Sequence, residues 1–230
     1  RDFCLSRGLG DVYKRQVFDL DGTLMNSLTD LAISVNYGLK LNGLEEKPVE
    51  NYKTYVGNGR EMLIRRAMGD AWTDHELFEK VKADYDRHYA VHCNDHTAAY
   101  DGCAEMLEKL AENGVKTGVL SNKPDEFVDK MLKKAFPNHK FTQAWGQKPQ
   151  YKTKPEPDAL LALLDMSGVT PEECFYVGDS DVDVFTANNA GVKMAGVSWG
   201  FRGKNELMNA GAPFVADTAE ELFDYICKFI

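Results

Sequence analysis

Long apolar runs are missing from this chain. The longest, Ala159 to Leu164, falls far short of the roughly 20 residues that a membrane helix needs, so no membrane partner is expected. Paired cysteines are missing too. The five present (Cys4, Cys93, Cys103, Cys174 and Cys227) are odd in number and scattered, without a CxxC spacing. That argues against a disulfide framework or a thiolate zinc site, and predicts free thiols in a reducing cytoplasm. Positive charge is in deficit: 27 Lys and Arg against 36 Asp and Glu give a net −9, spread along the chain. Nucleic acid and anionic membrane surfaces are thereby disfavoured as partners. A small anionic substrate is not, because a few local cations suffice to hold one. Internal repeats, low-complexity tracts and a secretory pattern are absent from the sequence, and a cytoplasmic setting is expected. What is there is 230 residues, 43% hydrophobic and 27% charged. That is enough for one large domain, or for one domain carrying a smaller insertion.

Strand and helix signals alternate from Val17 onward. The stretches VKTGVL (Val115–Leu120), CFYVG (Cys174–Gly178) and KMAGVSW (Lys193–Trp199) read as short apolar strands, with FTQAWG (Phe141–Gly146) and FVAD (Phe214–Asp217) as weaker ones. Amphipathic helices are predicted between them. In Ala104–Asn113 the residues Met106, Leu107, Leu110 and Ala111 share a face, and Gly114 follows as a stop. Asp125–Phe136, Asp158–Met166 and a last helix entered through a Thr218/Glu221 capping box complete the series. This alternation predicts an α/β fold, a doubly wound, Rossmann-like parallel sheet core. One region breaks it. Between about Ser27 and Thr97 the patterns are helical only: Leu28–Leu41, Arg60–Met68 and Asp74–His92. The expected organisation is a core of 17–26 and 98–230 with an inserted all-helical domain, 27–97.

The N-terminus fits poorly. A central parallel strand is buried on both faces and should be apolar throughout, yet Lys14, Arg15 and Gln16 precede Val17. The stretch DVYKRQ back-translates to GATGTGTATAAGAGACAG, which resembles a transposon-end adapter used in sequencing libraries. Residues 1–16 are therefore expected to be foreign to the native start, with a natural, poorly ordered extension as the alternative.

Chemistry is concentrated behind the strands. In parallel sheets ligands bind beyond the carboxyl ends of the strands. Asp19 and Asp21 stand there after the first strand, and Asp179 and Asp183 after CFYV, in GDSDVD. Ser121 and Asn122 follow VKTGVL, and Lys154 precedes a helix in YKTKPEPD. On one sheet these loops converge. Two carboxylates about 4 Å apart repel by roughly 4 kcal/mol at an effective dielectric near 20, so the crowd makes sense around a divalent cation with a lysine beside it. Oxygen-only ligands point to Mg²⁺. Such a set suits phosphoryl transfer. One carboxylate attacks phosphorus and the other protonates the leaving alkoxide and activates water. Gly22 lets the backbone approach phosphoryl oxygens, Thr23 follows at the turn, Ser121 offers a hydroxyl, and Lys154 neutralises developing charge.

In DLDGT, LSNKPD, TKPEPD and GDSDVD, in that order, the chain closely resembles the haloacid dehalogenase superfamily, from Val17 nearly to its end. The resemblance implies Asp19 as nucleophile and Asp21 as general acid/base. It implies Mg²⁺ held by Asp19, the Asp21 backbone carbonyl and Asp179, with Asp183 supporting the metal or Lys154 from behind. The helical insertion then looks like a C1-type cap. YVGNGREMLIRRAM, SNKPDEF and VSWGFR are most similar to the phosphoglycolate phosphatase branch, which implies a small phosphorylated metabolite as substrate. In that branch's cap, Gly57, Asn58, Gly59 and Arg60 would face the catalytic loops, with Gly59 and Arg60 joining Gly22, Thr23 and Asn122 as substrate-binding candidates. Many relatives carry Asp where Asn26 stands, a departure at a variable position. A phosphomutase of the same fold and a catalytically silent binding protein are the alternative readings.

Blander roles compete at several positions. Asp181 suits the positive end of a helix dipole. His88, His92 and His96 fall at i, i+4 and i+8, but without an acidic or cysteine partner of suitable spacing they are read as packing residues rather than a zinc site. Trp145 and Trp199 follow strands and are read as packing near the rim.

Overall fold

A computed structural model describes residues 15–229. Residues 1–14 of the suspected foreign segment, including Cys4, lie outside the described residues.

The chain opens with β1 (Arg15–Phe18) and reaches a two-residue strand, β2 (Met25–Asn26). Four α-helices follow: α1 (Leu28–Leu41), α2 (Tyr52–Tyr55), α3 (Gly59–Met68) and α4 (His75–His92). The return strand, β3 (Ala98–Ala99), pairs antiparallel with β2. Then come α5 (Cys103–Glu112), β4 (Lys116–Pro124), α6 (Asp125–Ala135), β5 (Gln143–Gln147), α7 (Asp158–Asp165) and β6 (Cys174–Gly178). The chain ends with α8 (Asp181–Ala190), β7 (Lys193–Val197), α9 (Lys204–Ala210), β8 (Val215–Ala216) and α10 (Ala219–Cys227). Six strands form one parallel sheet in the order β5-β4-β1-β6-β7-β8.

Side chains alternate across the sheet as strand geometry requires. Phe18, Val119, Phe175 and Val177 face one way and pack under α5, α6 and α10 through Met106, Leu107, Val128, Leu132, Leu222 and Ile226. Val17, Leu120, Cys174 and Tyr176 face the other, under α7, α8 and α9 through Leu160, Leu163, Val184 and Leu207. The sheet is therefore covered on both faces, as a parallel sheet must be. The helical insertion has a core of its own, built from Leu31, Val35, Leu39, Leu63, Ile64, Phe78, Val81 and Tyr85. Two side chains from outside the insertion, Phe127 and Phe201, pack against it. Its α1 and α4 lie against each other, and Asp74 caps α4 by accepting from the Leu77 amide at 3.1 Å.

Several boundaries differ from the sequence reading. β4 runs on through Ser121 to Pro124, past the predicted end at Leu120, because β5 continues to pair with it after a register shift. The ribbon β2/β3 and the short α2 and α9 carry too few residues for a periodic signal. At the last helix Thr218 caps Glu221 as expected, but the Glu221 carboxylate reaches the amide of Asp217 at 2.8 Å rather than that of Thr218.

The unsuitable residues before Val17 do enter the sheet. Arg15 and Gln16 pair with β4 and β6 in the central strand, 2% and 0% exposed. Arg15 donates one guanidinium hydrogen to Gln143 while its Nε is unpartnered, and both polar atoms of the Gln16 side chain are buried without a hydrogen bond. A buried unsatisfied polar group costs about 1–3 kcal/mol. Gln16→Val therefore raises stability. An increase in the thermal midpoint of about 2–4 °C per kcal/mol recovered is expected for a chain of this length, measured by thermal unfolding.

Candidate active site

The carboxyl ends of β1, β4 and β6 place the predicted loops side by side. The Asp19 amide prolongs the ladder by donating to the Val177 carbonyl at 2.8 Å, so the side chain leaves β1 at the rim. The next residues turn sharply: the amides of Thr23, Leu24 and Met25 all converge on the Leu20 carbonyl. Gly22 sits in this turn at φ +92°, and a Cβ there would fall 2.3 Å from Asp179 Oδ2. Gly200, after β7, approaches the same residue, and a Cβ there would lie 2.3 Å from the Asp179 Cβ and 2.4 Å from the Gly22 carbonyl oxygen. Asp179 is thus packed against two backbones and accepts from the Phe201 amide at 2.7 Å.

Lys154 ties the acids together. Its ammonium lies 2.7 Å from Asp19 Oδ1 and 2.8 Å from Asp183 Oδ1, and donates to the Tyr176 hydroxyl at 3.1 Å. Asp183 is fully buried. Its other oxygen accepts from the Ser180 hydroxyl and amide at 2.7 and 3.2 Å, which closes a capping box at the start of α8. Among the described residues, Asp19, Asp179 and Asp183 form the one group of metal-ligating side chains, with ligand atoms all within 4.8 Å of one another. Burial first, then the neighbouring Asp183 and Asp21, pushes the Asp19 carboxyl up to about 7 against the pull of Lys154. Burial, followed by Asp183 and Asp19, raises Asp179 well above the carboxylate range. Burial alone would lower Lys154, but Asp183 and Asp19 hold it well above its ordinary value.

Asp21 points elsewhere. It accepts from the Ser27 hydroxyl at 2.5 Å and from Lys123 Nζ at 2.9 and 3.1 Å, one contact to each oxygen for the lysine. Lys123 was not singled out in the sequence. Its signal was the spacing of two from Ser121, which on a strand puts both on one face, and both line the same cleft. Ser121 accepts from the Lys123 amide at 3.2 Å.

The other candidates divide. Asn122 is occupied: its amide donates to the carbonyls of Gly57 and Lys154 at 2.9 and 3.0 Å and accepts from the Lys154 amide at 2.8 Å. Thr23 is buried behind the turn. Its carbonyl accepts from Trp199 Nε1 at 3.0 Å, and its hydroxyl has no partner among the described residues. Gly59 opens α3 over the site, 3.5 Å from the Asn122 carbonyl at its Cβ position. Arg60 lines the cleft but lies across both oxygens of Asp86 at 3.0 Å. Arg202, which ends the VSWGFR stretch but was given no role in the sequence reading, reaches from the core to the carbonyls of Thr54 and Val56 at 3.1 and 3.0 Å. The cleft enclosed between core and insertion has about 610 Å³ of space, its open mouth included. The histidines stay apart from it: His88 bonds Ser34 at 2.9 Å, His92 pairs with Asp95 at 2.7 Å, and His96 lies beyond the end of α4. Trp145 stacks on Tyr151 with ring centres 5.7 Å apart.

The donor set fits a hard divalent cation. Three carboxylates share one lysine, and burial together with the neighbouring carboxylates raises the proton affinities of Asp19 and Asp179. A carboxylate cluster, a buried lysine and a separately held acid at the rim of a parallel sheet are the equipment of a phosphoryl-transfer hydrolase. The comparisons agree. Residues 16–197 match the family described as haloacid dehalogenase-like hydrolase, and the chain belongs to that family. A phosphoglycolate phosphatase of Pseudomonas fluorescens is 32% identical over 96% of this chain and 80% of its own length, and one of Mannheimia succiniciproducens is 36% identical over 80% and 85%. A crystal structure from Lactobacillus delbrueckii subsp. bulgaricus superposes with a TM-score of 0.88 at 32% identity, covering 94% of this chain and 98% of that one. A "predicted phosphoglycolate phosphatase" from Haemophilus somnus gives 0.87 at 29%, covering 95% and 99%. The chain is a phosphatase. Among the described residues no helix is long and apolar enough to cross a membrane.

The raised Asp19 value has a measurable consequence. The folded state holds its proton more tightly than the unfolded chain, so Asp19 removes stability as pH rises from the ordinary 3.8 towards about 7. In chelator, the thermal midpoint of the wild type therefore falls across that window more steeply than that of Asp19→Asn. A divalent cation restores more stability at pH 8 than at pH 5.

Proposed function

We propose that the protein is a Mg²⁺-dependent phosphatase acting on a small phosphate monoester, phosphoglycolate being the leading candidate, through an aspartyl-phosphate on Asp19. The observation that carries this reading is the division of labour between two neighbouring acids. Asp19 is held by Lys154 inside the carboxylate cluster, and Asp21 is turned away onto Ser27 and Lys123.

In this reading Asp19 attacks phosphorus while the bond to the leaving oxygen breaks. Asp21 delivers its proton to that oxygen and then takes one from the water that hydrolyses the acyl phosphate, which regenerates the Asp19 carboxylate and the protonated Asp21. Lys154 and the Ser121 hydroxyl balance charge on the phosphoryl oxygens, and Asp183 keeps Lys154 in place. Gly22 leaves room for the transferring group to approach the backbone. Asp19 and Asp179, with the Asp21 carbonyl, would hold Mg²⁺, which supplies charge neutralisation at the phosphoryl group. The helical insertion serves as the cap. Asn122 and Arg202 fasten it over the cleft through its backbone carbonyls and so exclude water. The names of the relatives support phosphoglycolate as the ester, and a cytoplasmic location accords with an enzyme of small metabolites.

Asp19→Asn abolishes phosphate release without loss of the folded state, checked by released phosphate and circular dichroism. Asp21→Asn lowers kcat by about 10²–10⁴-fold and allows a phosphoenzyme to accumulate, detected by intact-protein mass spectrometry after an acid quench. Retained turnover in Asp19→Asn would remove Asp19 as nucleophile.

A further inference from the structure

We infer that Lys123 is the specificity-determining residue of the cleft, the group that receives a carboxylate carried by the leaving alcohol. The inference rests on the phosphatase reading and adds to it the class of ester preferred: one whose alcohol bears an anion close to the ester oxygen.

Four cations line the cleft, and their surroundings differ. Lys154 is committed to Asp19 and Asp183. Arg60 lies across Asp86 on the insertion. Arg202 is bound to backbone carbonyls and stands 3.8 Å from Glu206. Lys123 faces Asp21, the residue that has to reach the ester oxygen. A general acid works within about 2.6–3.2 Å of the atom it protonates. In an ester of the type P–O–CH₂–COO⁻ the carboxylate begins two bonds beyond that oxygen, its carbon about 2.4 Å away at ordinary bond lengths and a tetrahedral angle. With Lys123 Nζ 2.9 Å from Asp21, a substrate seated for proton delivery brings its carboxylate to the ammonium. A longer or uncharged alcohol does not.

The position of the ammonium is set by the fold. The Lys123 side chain is 2% exposed, and its Nζ sits 5.0 Å from the centre of the Tyr89 ring. Tyr89 is stacked on Tyr85, a wall residue of the cleft, with ring centres 5.3 Å apart. An aromatic face holds the cation by its quadrupole while offering no competing anion. The low dielectric makes a new charge-assisted bond there stronger than in water. An incoming carboxylate shares the ammonium with Asp21, whereas a neutral alcohol leaves the pair as it is and gains nothing from it.

The test uses the full chain and two inert probes, 3-phosphonopropionate and propylphosphonate, which share the phosphonate and differ in the carboxylate. Calorimetry in the presence of Mg²⁺ is expected to show a preference for the acid in the wild type. Lys123→Met should lose at least tenfold in affinity for the acid and less than threefold for the neutral probe. Lys123→Gln, which keeps a hydrogen bond to Asp21, should give the same split, and it replaces the methionine variant if that one does not fold. Lys123→Arg should recover part of the preference, and Arg60→Met should retain it. In turnover, the ratio of kcat/KM for phosphoglycolate to that for ethyl phosphate should fall at least tenfold in Lys123→Met. Equal losses for both probes, or a preference that disappears with Arg60 instead, overturns the assignment. A wild type that binds neither phosphonate and releases phosphate from no monoester overturns the phosphatase reading itself, and the assignment with it.

Discussion

The ammonium of Lys154 is the contact on which the rest of the site depends. It is nearly sealed from water between Asp19 and Asp183, at 2.7 and 2.8 Å. Removing one partner from a buried pair of this kind costs about 3–5 kcal/mol, because the other charge is left stranded. Yet one lysine does not balance three carboxylates. Burial, and after it the mutual repulsion of the carboxylates, raises the proton affinities of Asp19 and Asp179. Stability alone would favour apolar residues here. The cluster is instead poised to accept positive charge, and the sheet bears the strain of like charges because its strands fix where the loops end.

That poise requires close approach. Gly22 and Gly200 both press on Asp179 at distances no side chain would permit, so the turn in DLDGT and the loop after β7 are shaped by the acid they pack against. Around this rigid base the contacts to the insertion are of another kind. Asn122 and Arg202 bind its backbone carbonyls rather than its side chains. The fit therefore does not draw on the side chains of Thr54 and Val56, whereas Gly57, at φ +122°, needs its glycine for the backbone.

Much of this was legible in the sequence, for definable reasons. Parallel strands buried on both faces announce themselves as apolar runs, and the acids after them sit where such sheets bind ligands, so Asp19, Asp179, Asp183 and Lys154 could be assembled without coordinates. Elements of two residues, such as β2 and β3, have no period to detect. Asn122 looked like a ligand for substrate because a polar side chain at a strand end is usually free. Its engagement with Lys154 and Gly57 depends on loops distant in sequence. Lys123 was hidden by adjacency to Ser121 and Asn122, and Arg202, the last residue of VSWGFR, by its distance in sequence from the four acid- and lysine-bearing motifs. Arg15 and Gln16 were correctly seen as misfits, but pairing on both sides of β1 draws them into the interior all the same.

The ribbon of β2 and β3 has a consequence for motion. The chain passes between core and insertion twice, and both passages lie in that ribbon. Immediately beyond it the buried carboxylate of Asp30, on the outgoing side, accepts from the amides of His96 and Thr97 on the returning side at 3.0 and 2.8 Å. The two passages are thus riveted into one pin. Whatever swing the insertion makes has to pass through this one double crossing. Ser27, which holds Asp21, stands at the foot of that crossing, so the Asp21 carboxylate is tied to the place where the insertion leaves the core.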